Sequence, residues 1–213
     1  MKRRAAVLIS GRGSNLGALI AAAADPDYPA EIALVLSNRA DAQGLVTARA
    51  AGIPARAIPH RDFPDRPAHE ATIHAALTEA GIELVCLAGY LRVLTPFLVE
   101  RWAGRMLNIH PSLLPALPGL DTHARALAAG CVLHGCTVHL VTTDLDDGPI
   151  LAQAAVPVLP GDDETTLAAR VLAQEHRIYP AALAMLAGGR PPPLDPTASL
   201  AGFRPVPNRA EPG

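Results

Sequence analysis

Short, unbroken apolar runs alternate with longer amphipathic stretches through the first half of the chain. Residues 5–9, 32–36 and 84–88 are apolar without in-and-out alternation, with 55–58, which includes Arg56, as a further short candidate strand. Strands buried on both faces read this way. Between the runs, 16–24, 41–51 and 66–80 carry apolar residues at helical spacing. That order predicts a Rossmann-like α/β fold, a mostly parallel sheet with helices on both faces. The second half changes character. A strand at 105–109 leads into a proline-bearing loop at 110–119, and strands at 134–141 and 150–156 are joined by the acidic turn 142–148. Asp163 stands as an N-cap for a helix from 164 to about 186. Beyond Gly188 the prolines cluster, which predicts an extended tail over 189–213.

Composition bounds the partners more than the fold. Half of the 213 residues are hydrophobic, enough for one large α/β domain, and with aromatics at 3% its core is built from Ala, Val, Leu and Ile. A net charge of −2 without a basic stripe argues against nucleic acid and towards a small-molecule substrate. Lys2 is the only lysine, so a phosphate site must rely on arginine, backbone N–H groups or hydroxyls. The basic start with its apolar run resembles the opening of a signal peptide, but the run stops at Ser10-Gly11-Arg12-Gly13. No stretch reaches the length of a membrane span. The odd count of three cysteines suits a reducing cytoplasm.

Two segments carry candidate chemistry. The first strand runs into Ser10-Gly11-Arg12-Gly13-Ser14-Asn15 and then a helix. Glycines allow close approach of an anion, and a helix N-terminus supplies unpaired N–H donors, so Gly13, Ser14 and Asn15 form a candidate monophosphate cradle. A tight turn without a ligand is the plain alternative. A dinucleotide site would need a glycine at Leu16 and an acid near Ser37-Asn38, and both are missing. The second segment is Asn108-Ile109-His110-Pro111. Residues two apart on a strand share a face, so Asn108 and His110 project together while Ile109 faces the core. An Asn amide can donate to a developing oxyanion, and a His can pass protons near neutrality. Asp144, Asp146 and Asp147 in the acidic turn are candidate carboxylates to orient the histidine.

Ile9-Ser10-Gly11 with Gly13-Ser14-Asn15-Leu16, Leu87 to Leu94, Leu107 to Pro115, and His134-Gly135 through Leu145-Asp146 together resemble, in order, the glycinamide ribonucleotide formyltransferase family. The resemblance implies the formyltransferase fold over 1–188, with a nucleotide-phosphate half at about 1–100 and a folate and catalytic half at about 101–188. It implies transfer of the formyl group of 10-formyltetrahydrofolate, as co-substrate, to the amine of glycinamide ribonucleotide in purine synthesis. No metal, nucleic acid or membrane is implied, and a monomer or homodimer is expected. By the same resemblance Asn108, His110 and Asp146 are catalytic. Gly13, Ser14 and Asn15 hold the nucleotide phosphate, and Glu175 lies near the ribose hydroxyls. Arg66 and the segment Leu91, Arg92, Val93 and Leu94 take the folate. Glu175 also sits four residues after Val171 and three before Ile178, on the core side of its helix. The chain departs from the family pattern at Asp147, where glycine is usual, at Ala116, often basic, and at Asp121, often histidine.

Other readings rank lower. Cys131, His134, Cys136 and His139 lack a standard zinc spacing, since His139 points away from the other strand residues. His60, His69, His74 and His176 read as surface or helix residues, and Cys86 as core. A methionyl-tRNA formyltransferase would need a further C-terminal domain and a basic face. A formyltetrahydrofolate hydrolase would need an N-terminal regulatory domain. A non-catalytic nucleotide-binding module would not need Asn108, His110 and Asp146 together.

Overall fold

Each apolar run becomes a strand whose alternate residues feed two cores. The computed structural model describes residues 1–188; the proline-rich tail expected at 189–213 lies outside them. Strands β1 (Arg3–Ile9), β2 (Ala30–Ser37), β3 (Ala55–Ala57), β4 (Leu84–Leu87) and β5 (Met106–His110) are parallel. They are followed by β6 (Leu133–Leu140) and β7 (Ile150–Pro157), which run antiparallel. The seven strands form one sheet in the order β3-β2-β1-β4-β5-β6-β7. In β1, Ala5, Val7 and Ile9 enter one core, while Ala6 and Leu8 enter the other.

The larger core lies under α1 (Ser14–Ala23), α2 (Gln43–Ala50), α5 (Thr122–Ala128) and α6 (Glu164–Leu186). The smaller lies under α3 (Arg66–Glu79) and α4 (Pro96–Arg101), where Ile73, Leu77, Leu98 and Trp102 close over Leu8, Val85 and Met106. Helices therefore cover both faces, as a buried parallel sheet requires. Two of them, α4 and α5, were not expected from the sequence. At six and seven residues they are too short to display a period. Among the described residues no helix is long and apolar enough to cross a membrane.

Helix α6 braces the site from below the sheet. Asp163 accepts the Thr166 N–H and the Thr166 hydroxyl reaches back to the Asp163 N–H, a complete capping box. Further along, the fully buried Tyr179 donates its hydroxyl hydrogen towards Leu87 O at 2.9 Å. Tyr28 donates to Pro180 O at 2.6 Å, fastening the helix to the chain that precedes β2. Asp163→Ala should cost about 1 kcal/mol, the usual worth of a helix cap. Urea unfolding followed by circular dichroism would show this as a lower midpoint with an unchanged slope, and an unaltered midpoint would refute it.

Candidate active site

The loop after β1 is shaped by two close approaches. Gly13 has φ +72°, and a side chain there would press on the Gly44 Cα and Leu16 Cβ at 3.3 Å. Gly44, in the first turn of α2, donates its N–H to Gly11 O at 3.1 Å. A Cβ on Gly44 would stand 2.5 Å from Ile9 Cδ1. The second helix thus backs the loop, a support that the glycine pattern of the loop itself does not reveal. The resulting concavity, about 240 Å³, is lined by Gly11, Arg12, Gly13, Ser14 and Asn15 on one side and by Ala88, Gly89 and Leu91 on the other. The N–H groups of α1's first turn open towards it, the arrangement that suits an anion.

Asn15 turns inward. It is buried, and its amide donates to Glu175 Oε2 at 2.7 Å, leaving Asn15 Oδ1 buried without a partner. Burial raises the Glu175 carboxyl above its usual range, against the lowering effect of the Asn15 bond and of His110 nearby. An acid held here behind a small-molecule-sized concavity is a polar group prepared for a ligand.

The second cluster is built by the one change of strand direction next to β5. Antiparallel pairing sets Asn108 opposite His139 and His110 opposite Thr137. The Asn108 amide nitrogen lies 3.2 Å from His139 Nε2, and His139 Nδ1 lies 3.0 Å from Leu140 O. A backbone carbonyl only accepts, so His139 carries its hydrogen on Nδ1 and takes the Asn108 N–H with Nε2. Burial pushes the His139 imidazole below its usual pKa, in keeping with that neutral form. Asp146 reaches both histidines, with Oδ2 3.4 Å from His110 Nδ1 and Oδ1 3.8 Å from His139 Nε2. Its neighbour Asp147 is exposed. The sequence offers His139 only as a zinc candidate, because its place beside Asn108 is set by a partner strand and not by spacing along its own.

The loop after β5 closes over this cluster. His110 Nε2 donates to Leu117 O at 3.0 Å, and the Gly119 N–H donates to Asp146 Oδ2 at 2.9 Å. Among the described residues three other than glycine have positive φ, Leu117, Asp121 and Asp146, and all three belong to this corner. Such conformations cost roughly 1–3 kcal/mol each and gather where function demands them. The base of the loop is held by Thr137, whose Oγ1 accepts the Leu114 N–H at 3.0 Å and donates to Ser112 O at 2.7 Å.

The remaining expected residues are distributed around these two clusters. Leu91 and Val93 are exposed, Arg92 is half-buried, and Leu94 packs on the smaller core. Arg66 is exposed at the start of α3. The residues weighed for zinc are separated. His134 meets His123 at 3.1 Å, His139 meets Asn108, and Cys136 is buried. Among the described residues no three His, Cys, Asp or Glu side chains form a group that could hold a metal. His69, expected at the surface or on a helix, is helical but buried, and it donates to Ile58 O at 2.8 Å.

Burial, with His123 and His110 nearby, pushes the His134 imidazole from the usual 6.5 down to about 4. The unfolded chain takes up this proton near pH 6.5, while the folded protein refuses it until about pH 4. Stability is therefore lost as pH falls through that window. Replacing His134 by Gln should flatten the fall in urea midpoint between those two pH values. Parallel curves for the two proteins would count against it.

Comparison with known proteins agrees with this architecture. The family model described as formyl transferase matches residues 3–183. The chain is 51% identical over 190 residues to the trifunctional purine biosynthetic protein adenosine-3 of Drosophila pseudoobscura pseudoobscura, and it spans only 14% of that protein's length. It is 47% identical over 184 residues to the phosphoribosylglycinamide formyltransferase of Escherichia coli (strain K12), covering 86% of this chain and 87% of that one. The crystal structure of phosphoribosylglycinamide formyltransferase from Brucella melitensis superposes with a TM-score of 0.85 at 56% identity, over 89% of this chain and 97% of the other. With the matched segment running from the first strand into the last helix, the chain belongs to the formyl transferase family and is an enzyme of formyl transfer.

Proposed function

We propose that this enzyme moves the formyl group of 10-formyltetrahydrofolate to the amine of glycinamide ribonucleotide, a step of purine synthesis carried out in the cytoplasm on small molecules. The observation that carries the reading is the largely buried group Asn108, His139, Asp146 and His110, with Glu175 between it and the backbone cradle at Gly13 to Asn15. In this reading Gly13, Ser14 and Asn15 take the phosphate on backbone N–H groups, and Glu175 takes the ribose hydroxyls. Residues 1–100 serve mainly the nucleotide and residues 101–188 the chemistry. The folate strip of Leu91, Arg92, Val93 and Leu94, with Arg66 beyond it, crosses that division.

The reaction forms a bond from the amine nitrogen to the formyl carbon and breaks the bond from that carbon to N10 of the folate. One proton leaves the attacking nitrogen and one arrives at N10. The carbonyl oxygen carries negative charge in between. Asn108, its amide oriented by His139, has an N–H left for that oxygen. Both nitrogens of His110 face acceptors, Leu117 O and the Asp146 carboxylate, so the ring suits the doubly protonated form. A protonated His110 stabilises the oxyanion, and Asp146 holds its charge and relays the proton between nitrogens. Positioning two substrates in one cleft supplies much of the remaining acceleration.

Release of tetrahydrofolate should depend on added glycinamide ribonucleotide; release at the same rate without it would indicate a hydrolase and overturn the proposal. Asp146→Asn should lower kcat by roughly a hundredfold or more, the scale of a lost acid–base partner. The exposed Asp147 makes no contact with His110, so Asp147→Gly should keep most activity. An exchange of these two outcomes would move the carboxylate role by one residue.

A further inference from the structure

Ser10 follows directly on β1 and is almost wholly buried, 3% exposed. Its backbone N–H donates to Gly89 O at 3.1 Å, and its Oγ accepts the Leu91 N–H at 2.9 Å. The turn after β4 is therefore fastened to one residue at two points. The single hydroxyl hydrogen is committed as well, to Asn38 Oδ1 at 2.6 Å. Asn38 is itself buried, 4% exposed, at the end of β2. His60 steadies it, with Nδ1 at 3.1 Å from Asn38 O. The direction of every bond in this chain is fixed, because the Leu91 N–H can only donate and Asn38 Oδ1 can only accept.

The far end of the same strip is fixed separately. Glu70, 2% exposed, accepts the Thr95 N–H at 2.8 Å and the Thr95 hydroxyl hydrogen. Between these anchors Leu91 and Val93 stand out, 76% and 55% exposed, and Leu91 lines the concavity shared with Gly11 to Asn15. Ser10 lies one residue before that loop and behind Leu91, where the two halves of the cleft meet.

We propose that Ser10 is a positioning residue for the reaction, its hydroxyl setting the Leu91 backbone and with it the strip that receives the folate. The inference rests on the folate reading of Leu91 to Leu94. Removing the hydroxyl strands Asn38 Oδ1 in the interior and frees the Leu91 N–H, so the strip loosens at its front end while Glu70 still holds its rear. The phosphate cradle, supported from α2 through Gly44, keeps its shape.

Ser10→Ala should raise the KM for 10-formyltetrahydrofolate about tenfold, the scale of one net hydrogen bond lost at a buried site, and leave the KM for glycinamide ribonucleotide within about twofold. Ser10→Thr, which keeps the hydroxyl, should restore most of the folate affinity. Asn38→Leu, which removes the acceptor of the Ser10 proton, should shift the folate KM in the same direction as Ser10→Ala. Equal KM values in Ser10→Ala and wild type, with only the urea midpoint lowered, would overturn the proposal by showing a purely structural role. A parallel rise of both KM values would overturn it too. Calorimetric dissociation constants for tetrahydrofolate, measured on wild type and Ser10→Ala, test the positioning role without turnover. Unchanged folate binding in the variant refutes it, whereas failure of the wild type to formylate the nucleotide refutes only the function on which it rests.

Discussion

The site depends on one structural decision, the reversal of strand direction between β5 and β6. A sixth parallel strand would arrive after a crossover helix and present a different register. The antiparallel partner instead sets His139 directly across from Asn108 and Thr137 across from His110. From that register follows the orientation of the Asn108 amide. The acidic turn between β6 and β7 then follows within reach, so Asp146 closes on both histidines from the same hairpin. Thr137 contributes from the same strand by pinning the Ser112 to Leu114 segment through its hydroxyl.

Around this hairpin the protein concentrates buried polar groups that would each be costly alone. His110, His139, Glu175, Asn15 and Ser10 are all under 9% exposed, in a chain whose core is mostly aliphatic. Most of these groups have their hydrogen-bonding capacity met by a neighbour of fixed direction, which is the condition under which interior polar groups are tolerated. Asn15 Oδ1 is the exception. Low exposure also strengthens each remaining interaction with a bound substrate, since less water competes for the field.

Much of this was legible in the sequence where it depends on near neighbours. The unalternating apolar runs marked β1, β2 and β4, and the glycine-rich turn marked the entry to α1. Asn108 and His110 shared a face because a strand alternates, and Asp163 capped its helix because of its own side chain. What escaped depends on distant partners. His139 acquires its place from the register of another strand. Gly44 backs a loop some thirty residues earlier through the packing of α2. Asn38 meets Ser10 because β1 and β2 run in parallel, with Ile9 beside Ser37. The short helices α4 and α5 escaped for the opposite reason, being too brief to carry a pattern.

The contacts from the loop at Leu117 and Gly119 place a ligand of the protein's own making on the two groups proposed to carry the chemistry. Leu117 O takes the His110 N–H that an oxyanion would need, and the Gly119 N–H takes an Asp146 oxygen. These contacts leave neither the His110 ring nor the Asp146 carboxylate unpaired in the interior. On the proposed mechanism, substrate reaching His110 displaces the Leu117 contact. Its apparent affinity is then the intrinsic affinity multiplied by the fraction of molecules in which the loop has let go. Selection acting on Leu117 or Gly119 could tune that population, and so the working substrate concentration, without touching any group that meets the reacting atoms.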